Sequence, residues 1–479
     1  MNKKPFAALL PALVLAVFAP AAGASTTQES IFQDDNVLLS PAAPQGLDQL
    51  KGLGVNTIHT LVFWARLAPN SDSRTKPSGD LTNPNTYNAT AMAQYDALVR
   101  GAAARGIQVL MTPTGFTPLW AQCRRPGKYR NCQPNAKYFQ DFVTALGKRY
   151  SGSFTPPGGT TLPRVSRWSI WNEPDQVGWI YPQKQKGLVV GAKYYRDLFY
   201  AGQAGLKKSG HSRDKVLLGE TAPTGRGNSS DPTSFMEALF CVNTKGKRIK
   251  TKALGCNKFK KLNVAGYAHH PYNTSATGPA LRKPKGKGDI TLAVLDRLKK
   301  VLALGAKGHS IKRNLPVYFT EYGIQSNPPN PLYGVPLVKQ AMWLNQMDYT
   351  AYKNKLVKSV SQYELADDGN DPHVFQTGLE FQNGTAKPSF DAYRLPIWVT
   401  RKGGSSSIWF WVRPANGAPQ TVQIQHDTGG GFQTVATKTT NGKGFATVSQ
   451  SGTAGTWRIA WTGPGGTQFF SRAASVNDR

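Results

Sequence analysis

Trp168-Ser169-Ile170-Trp171-Asn172-Glu173-Pro174-Asp175 is an apolar run that stops abruptly on a carboxylate. It reads as a buried strand with Glu173 at its end. The proline that follows disfavours the helical region for Glu173, so an extended backbone is expected there, with a side chain leaving in a fixed direction. A second stretch repeats the construction. Leu315-Pro316-Val317-Tyr318-Phe319-Thr320-Glu321-Tyr322-Gly323 is β-branched and aromatic, ends on Glu321 and has a glycine to turn the chain. Two strand-end glutamates make a candidate carboxylate pair.

Outward from these stretches, extended runs alternate with helical patterns. Strands are expected over residues 31–39, 56–64, 107–112, around Trp168, over 216–219 and 263–268, around Val317 and over 357–365. Helices are expected between them over 46–53, 91–105, 136–150, 193–208, 234–240, 290–304 and 336–353, with 390–395 opening a closing helix. Eight such units predict an α/β fold, a parallel (β/α)8 TIM barrel, over residues 25–397. Glu173 then ends the fourth strand and Glu321 the seventh, both at the carboxyl-terminal mouth where barrel active sites sit.

Beyond residue 397 the helical patterns stop. Short alternating runs such as Ile408-Trp409-Phe410-Trp411-Val412 and Thr421-Val422-Gln423-Ile424, punctuated by glycines, predict a small antiparallel β-sandwich over 398–479. Trp409 and Trp411 share one face, which suits either a sugar-stacking surface or, more commonly, core, as does Trp457.

Trp171-Asn172-Glu173-Pro174 and Thr320-Glu321-Tyr322-Gly323 resemble the acid/base and nucleophile motifs of clan A glycoside hydrolases, which include the cellulase-like family 5 and the xylosidase-like family 39. The resemblance covers about residues 30–397. It implies a retaining O-glycosidase in which Glu173 is the general acid/base and Glu321 the nucleophile. It makes Asn172 the partner of a sugar 2-hydroxyl. His270-Pro271-Tyr272 resembles the family's His-x-Tyr element, in which the tyrosine hydroxyl faces the nucleophile. Retention needs the two carboxyl groups about 5–5.5 Å apart.

Two departures stand out. Many clan A enzymes carry an arginine in strand two where this chain has His59, and a tryptophan ending strand eight where it has Ser361-Gln362-Tyr363-Glu364. His59 is therefore placed among the substrate-binding candidates. Trp64, Trp120 and Trp179, with Tyr181, sit where a sugar platform is expected. Glu220 and Glu364 are rival carboxylates without a recognisable motif. The adjacent His269 and His270 point to opposite faces of a regular strand and cannot share one ion, so neither a metal nor a cofactor is expected.

Lys3 and Lys4, the apolar segment from Phe6 to Phe18 and Ala22-Gly23-Ala24 have the form of a signal peptide over residues 1–24, so the protein is expected to be secreted or periplasmic, within the cell envelope. No later run reaches the roughly 18 apolar residues of a membrane span. In that setting the four cysteines suggest disulfides, and the short spacings favour Cys123–Cys132 and Cys241–Cys256. Loss of the two leader lysines takes the formal charge from +31 to +29, a balance that attracts polyanions, although no nucleic-acid-binding motif accompanies it.

Over the expected mouth loops, 115–135, 174–191 and 272–288, ten cations (Arg124, Arg125, Lys128, Arg130, Lys184, Lys186, Arg282, Lys283, Lys285, Lys287) face Asp175 alone. The expected partner is thus a polysaccharide or oligosaccharide, anionic in character, bound by a monomer. The competing reading is a catalytically inactive, adhesin-like barrel that binds carbohydrate or polyanion.

Overall fold

The computed structural model describes residues 28–124, 129–274, 277–369 and 371–478. The signal peptide expected over residues 1–24 lies outside them.

Eight parallel strands close into a barrel: β1 (Glu29–Gln33), β2 (Thr57–Phe63), β3 (Gln108–Thr114), β4 (Arg167–Ser169), β5 (Lys215–Thr221), β6 (Gly266–His269), β7 (Val317–Phe319) and β8 (Val357–Tyr363). Each pairs with its sequence neighbour, and β8 closes on β1 through Glu29–Ser359 to Gln33–Tyr363. The helices between them are α1 (Ala43–Gly52), α2 (Ala89–Ala104), α3 (Ala136–Arg149), α4 (Gly191–Lys208), α5 (Pro232–Leu239), α6 (Leu295–Lys307), α7 (Leu337–Tyr352) and α8 (Pro388–Arg394). The strands read as continuous apolar runs because both faces are covered, the outer by helices and the inner by other strands. Ile31, Leu110, Leu217 and Ala268, with Ala265 and Tyr318 against them, form one cluster inside the barrel, whose interior is packed with side chains rather than open.

The first strand is shorter than the 31–39 expected. It stops at Gln33 because Asp34 caps a short helix, Asp35–Leu38, accepting a hydrogen bond from the Val37 N–H at 2.8 Å.

The C-terminal strands form two antiparallel sheets. One has the order β9 (Ile397–Lys402), β10 (Ser405–Trp411), β13 (Phe445–Ser451); the other β12 (Gln433–Thr439), β11 (Thr421–Asp427), β14 (Thr456–Thr462), β15 (Gln468–Phe470). Strand alternation decides the fate of the tryptophans. Ile408, Phe410 and Val412 point into the sandwich with Trp457, while Trp409 and Trp411 point the other way and join the barrel's core. Trp409 packs on Tyr349 and Tyr352 of α7 at 5.4 and 5.2 Å between ring centroids. These rings are therefore core and domain interface, not a sugar surface. Arg413 locks the junction: buried, it donates to Asp348 at 2.7 Å and to Ser30 at 3.0 Å.

Both local disulfides are present, Cys123–Cys132 and Cys241–Cys256, with Cα atoms 5.4 and 5.5 Å apart. Closing loops of this length stabilises by about 3 kcal/mol each on the chain-entropy account. Among the described residues no helix is long and apolar enough to cross a membrane.

Candidate active site

Four successive strands each bring one ionisable side chain to the mouth: Glu173 after β4, Glu220 in β5, His270 after β6 and Glu321 after β7. His270 is the hub, fully buried. Its Nδ1 lies 3.1 Å from Glu173 Oε1 and 3.4 Å from Glu321 Oε2, and its Nε2 lies 2.9 Å from Glu220 Oε2. The contacting atoms of Glu173, His270 and Glu321 all lie within 4.8 Å of one another. Tyr272 donates to Glu321 at 3.3 Å. The two motif glutamates, His270 and Tyr272 are thus brought together.

The backbone at this rim is not the extended one expected. Glu173 has φ of +36°, and Trp171 (+69°), Glu220 (+50°) and Glu364 (+73°) are also left-handed. Such angles cost a non-glycine residue free energy and persist only where surrounding contacts impose them. Here the Glu173 N–H donates to the Glu220 carbonyl at 2.9 Å, and the Asn172 N–H to Thr114 Oγ1 at 3.0 Å. Proline at 174 does exclude the right-handed helical region, but the chain escapes to the left-handed one rather than to extended.

Glu220 is the residue whose part sequence reasoning missed. Between Gly219 and Thr221 the pairing of β5 with β6 slips by one residue, and the bulge turns Glu220 under the pair. Burial opposes its charge, yet His59, 4.0 Å away, and the hydrogen-bonded His270 hold its carboxyl down to about 2. Thr320 also donates to it. Burial in turn drops His59 to about 4, so at neutral pH His59 is uncharged and the pull on Glu220 rests on His270. Burial alone would neutralise His270 as well. Glu321, Glu173 and Glu220 outweigh it and raise the imidazole well above its usual range, leaving a proton on each ring nitrogen.

Burial raises Glu321 to about 7. His270 and the Tyr272 hydroxyl work against that rise, while the charges of Glu173 and Glu220 add to it. Glu321 therefore keeps a proton up to about pH 7 with Glu173 beside it, and a proton held between neighbouring coupled groups belongs to the pair. Donation from Tyr272 favours the ionised form of Glu321, as the motif implies, but burial is the stronger influence.

Glu173, His270 and Glu321 are also the one group among the described residues spaced to hold a metal ion. The protonated state of His270 opposes it, since Nδ1 has no lone pair to offer. His269 faces away, bonded to Thr221 Oγ1 and the Ile290 carbonyl at 2.9 Å each.

Several expected platform residues are elsewhere. Trp64 is fully buried: β2 ends at Phe63, and Trp64 opens a helical turn that stacks its ring on Phe142 at 5.7 Å. Trp120 packs edge-on against Trp64 and donates to the Pro69 carbonyl at 3.1 Å. His59 is fully buried beneath Glu220, hydrogen-bonded to Thr112 at 2.9 Å. Trp179 does face the rim, stacked at 5.9 Å on Phe116, itself 47% exposed, and at 6.3 Å on Phe63. Phe63 and Phe116 take the places assigned to Trp64 and Trp120. Tyr181 stacks on Tyr129 at 4.8 Å.

Asn172 is buried with Oδ1 unpartnered by protein. Glu364 accepts from the Thr377 N–H and hydroxyl at 3.0 and 2.8 Å, and burial pushes it up to about 10, so it is a neutral acid and no rival. Tyr363, half-buried where the resemblance expects a tryptophan, packs edge-on against Phe375. Beside Tyr272 a cleft of about 420 Å³ opens between Arg226, Tyr333, Phe375 and Thr377.

Of the expected mouth cations, Arg125 and Lys128 lie outside the described residues. The other eight are exposed, and Arg130 is paired with Asp72 at 2.6 Å. Asp175 is no counter-charge. It is fully buried, accepts from the Ala222 N–H at 3.0 Å, and burial raises it well above the carboxylate range.

No protein-family model and no curated protein sequence matches the chain. Among solved structures it is similar to a family 39 glycoside hydrolase from the gut symbiont Bacteroides cellulosilyticus WH2, at TM-score 0.52 and 16% identity over 89% of this chain and 79% of that one. It is also similar to a glucosidase from Croceicoccus marinus, at TM-score 0.53 and 10% identity over 90% and 94% of the respective chains. At such identities the likeness is one of fold.

Proposed function

We propose that the protein is a retaining glycoside hydrolase acting on a polysaccharide, with Glu321 attacking the anomeric carbon and Glu173 protonating the leaving oxygen, then deprotonating water. The observation that carries this reading is the close pair itself, with oxygens within 4.8 Å at the mouth, a spacing on the short side that double displacement needs rather than the roughly 6.5–9.5 Å that leaves room for water. Two structural neighbours described as glycosidases support it. The pair's single proton serves one residue as acid while its partner stays a nucleophile. His270 and Tyr272 orient the carboxylates, and the free Oδ1 of buried Asn172 is available to a sugar hydroxyl. Trp179 and Phe116 offer ring faces to the sugar. Two disulfides accord with export to an oxidising compartment.

Because the shared proton leaves near pH 7, kcat/KM should fall above about 7, close to tenfold per pH unit. Tyr272→Phe removes a donor that favours ionised Glu321, so it should move this limb upward. A profile flat to pH 9 would count against the shared proton.

The substrate is proposed to be an anionic glycan, on the eight exposed cations of the mouth loops and the burial of Asp175 away from them. Charge lining a cleft raises association rates by roughly 10–10³-fold, and salt erodes the gain. Comparing kcat/KM on charged and neutral polymers checks this. Changing Arg282, Lys283, Lys285 and Lys287 to Ser should cost about tenfold on the charged polymer and little on the neutral one. Equal cleavage of both polymers by the unaltered protein would refute an anionic preference.

A further inference from the structure

The segment 241–262 carries eight cations, from Lys245 to Lys261, and no aspartate or glutamate. Eight in 22 residues is about three times the density of the whole chain, 58 in 479. All eight are exposed, and among the described residues none is in an ion pair. The segment leaves the C-terminus of α5 and leads into β6, so it lies on the underside of the barrel, opposite the mouth.

This is a built surface. The Cys241–Cys256 disulfide closes the segment, and Val242 bridges to Arg248. Buried Arg196 of α4 ties it down from below, donating to the Ala238 and Leu239 carbonyls at 3.0 Å each and to that of Leu254. The Arg248 guanidinium lies 4.0 Å over the Phe259 ring and donates to Ser310 at 3.0 Å. Lysines on a fixed frame lose less backbone freedom on binding than lysines on a loose loop.

Two clefts flank Lys260 and Lys261. One, of about 630 Å³, is lined by Lys207, Arg213, Lys215, Lys261 and Lys312, and its one acid, Asp214, is held by Arg164 at 2.8 Å and His211 at 2.5 Å. The other, of about 560 Å³, is lined by Lys193, Arg196, Lys252, Lys258 and Lys260, and its one acid, Asp197, is paired with Lys193 at 2.6 Å.

We propose that this underside is a second, non-catalytic binding face for a polyanionic glycan, which the protein grips at a distance from its mouth. Nucleic acid fits less well. Phe259 is covered by the Arg248 guanidinium, so its ring is not free for base stacking. The segment also consists of loops and two short 3-10 turns, with no helix to enter a groove. The choice of a glycan rests on the glycosidase reading of the mouth.

The test is binding, without turnover, in a Glu321→Gln background. Polygalacturonate, an uncharged glucan and duplex DNA serve as probes, at two salt concentrations. Changing Lys252, Lys258, Lys260 and Lys261 to Ser should weaken polygalacturonate binding at least fivefold at low salt and flatten its salt dependence. In the otherwise unaltered protein the same four changes should leave the melting temperature and the hydrolysis of a small neutral aryl glycoside unchanged. A loss below fivefold, or duplex DNA held as tightly as polygalacturonate, overturns the proposal. Absence of any hydrolysis by the unaltered protein, with the binding loss intact, sinks the reading of the mouth and leaves the polyanion face standing.

Discussion

Glu321→Ala and Glu173→Ala are each expected to remove most hydrolysis, and azide should restore turnover in both with opposite stereochemistry. Loss of a positioned acid/base is worth about 10²–10⁴-fold, and loss of the nucleophile at least as much, because no covalent intermediate forms. In Glu321→Ala the cavity admits azide to the face from which the carboxylate attacked, so the glycosyl azide has inverted configuration. In Glu173→Ala an aryl glycoside with a good leaving group still forms the covalent intermediate, and azide replaces water to give a retained product. Near-normal activity in either variant would defeat the pairing, and the same anomer from both would defeat the assignment of roles.

His270→Ala should be the most destabilising single change in the site. It removes the only cation that, among the described residues, lies within hydrogen-bond reach of Glu220, a fully buried carboxylate, and leaves that charge unpaired. Breaking a buried pair in this way costs about 3–5 kcal/mol, visible in the barrel's urea transition at pH 7. Adding Glu220→Gln removes the stranded charge, so the double variant should be more stable than His270→Ala alone. The same loss raises Glu321, which then ionises beside the carboxylates of Glu173 and Glu220 with no compensating charge. Additivity within about 0.5 kcal/mol around the cycle would show that His270 and Glu220 do not act as a pair.

The barrel was legible because each βα unit changes period, from continuous apolar strand to amphipathic helix, and because both motif glutamates stand just past strand ends. Aiming was harder to read. Trp64 and Trp120 looked like platform residues from their position after strands, but one residue decides facing at a strand end. With β2 ending at Phe63, it is Phe63 that meets Phe116 and Trp179 while Trp64 turns into the core. The parity of β2 and an isolated phenylalanine in Gly115-Phe116-Thr117-Pro118 were the available signals. Glu220 could not be placed from sequence, because its aim comes from a bulge in one strand pairing. Asp175 counted as a charge in the sequence and is a buried acid in the fold, a distinction set by its burial, which outweighs the hydrogen bond it accepts from the Ala222 N–H. His59 stands where an arginine was expected, and burial under Glu220 leaves it neutral, so the positive charge of the site is supplied from β6 by His270.

The central claim, a double displacement by Glu173 and Glu321, is tested most directly by the configuration of the first product. Proton NMR of the unaltered enzyme in the opening minutes of hydrolysis, before mutarotation, reads that configuration on any aryl glycoside it cleaves. Double displacement across oxygens within 4.8 Å of each other predicts that the anomer of the substrate appears first. Initial release of the opposite anomer would mean that water attacks directly and that Glu321 is not the nucleophile.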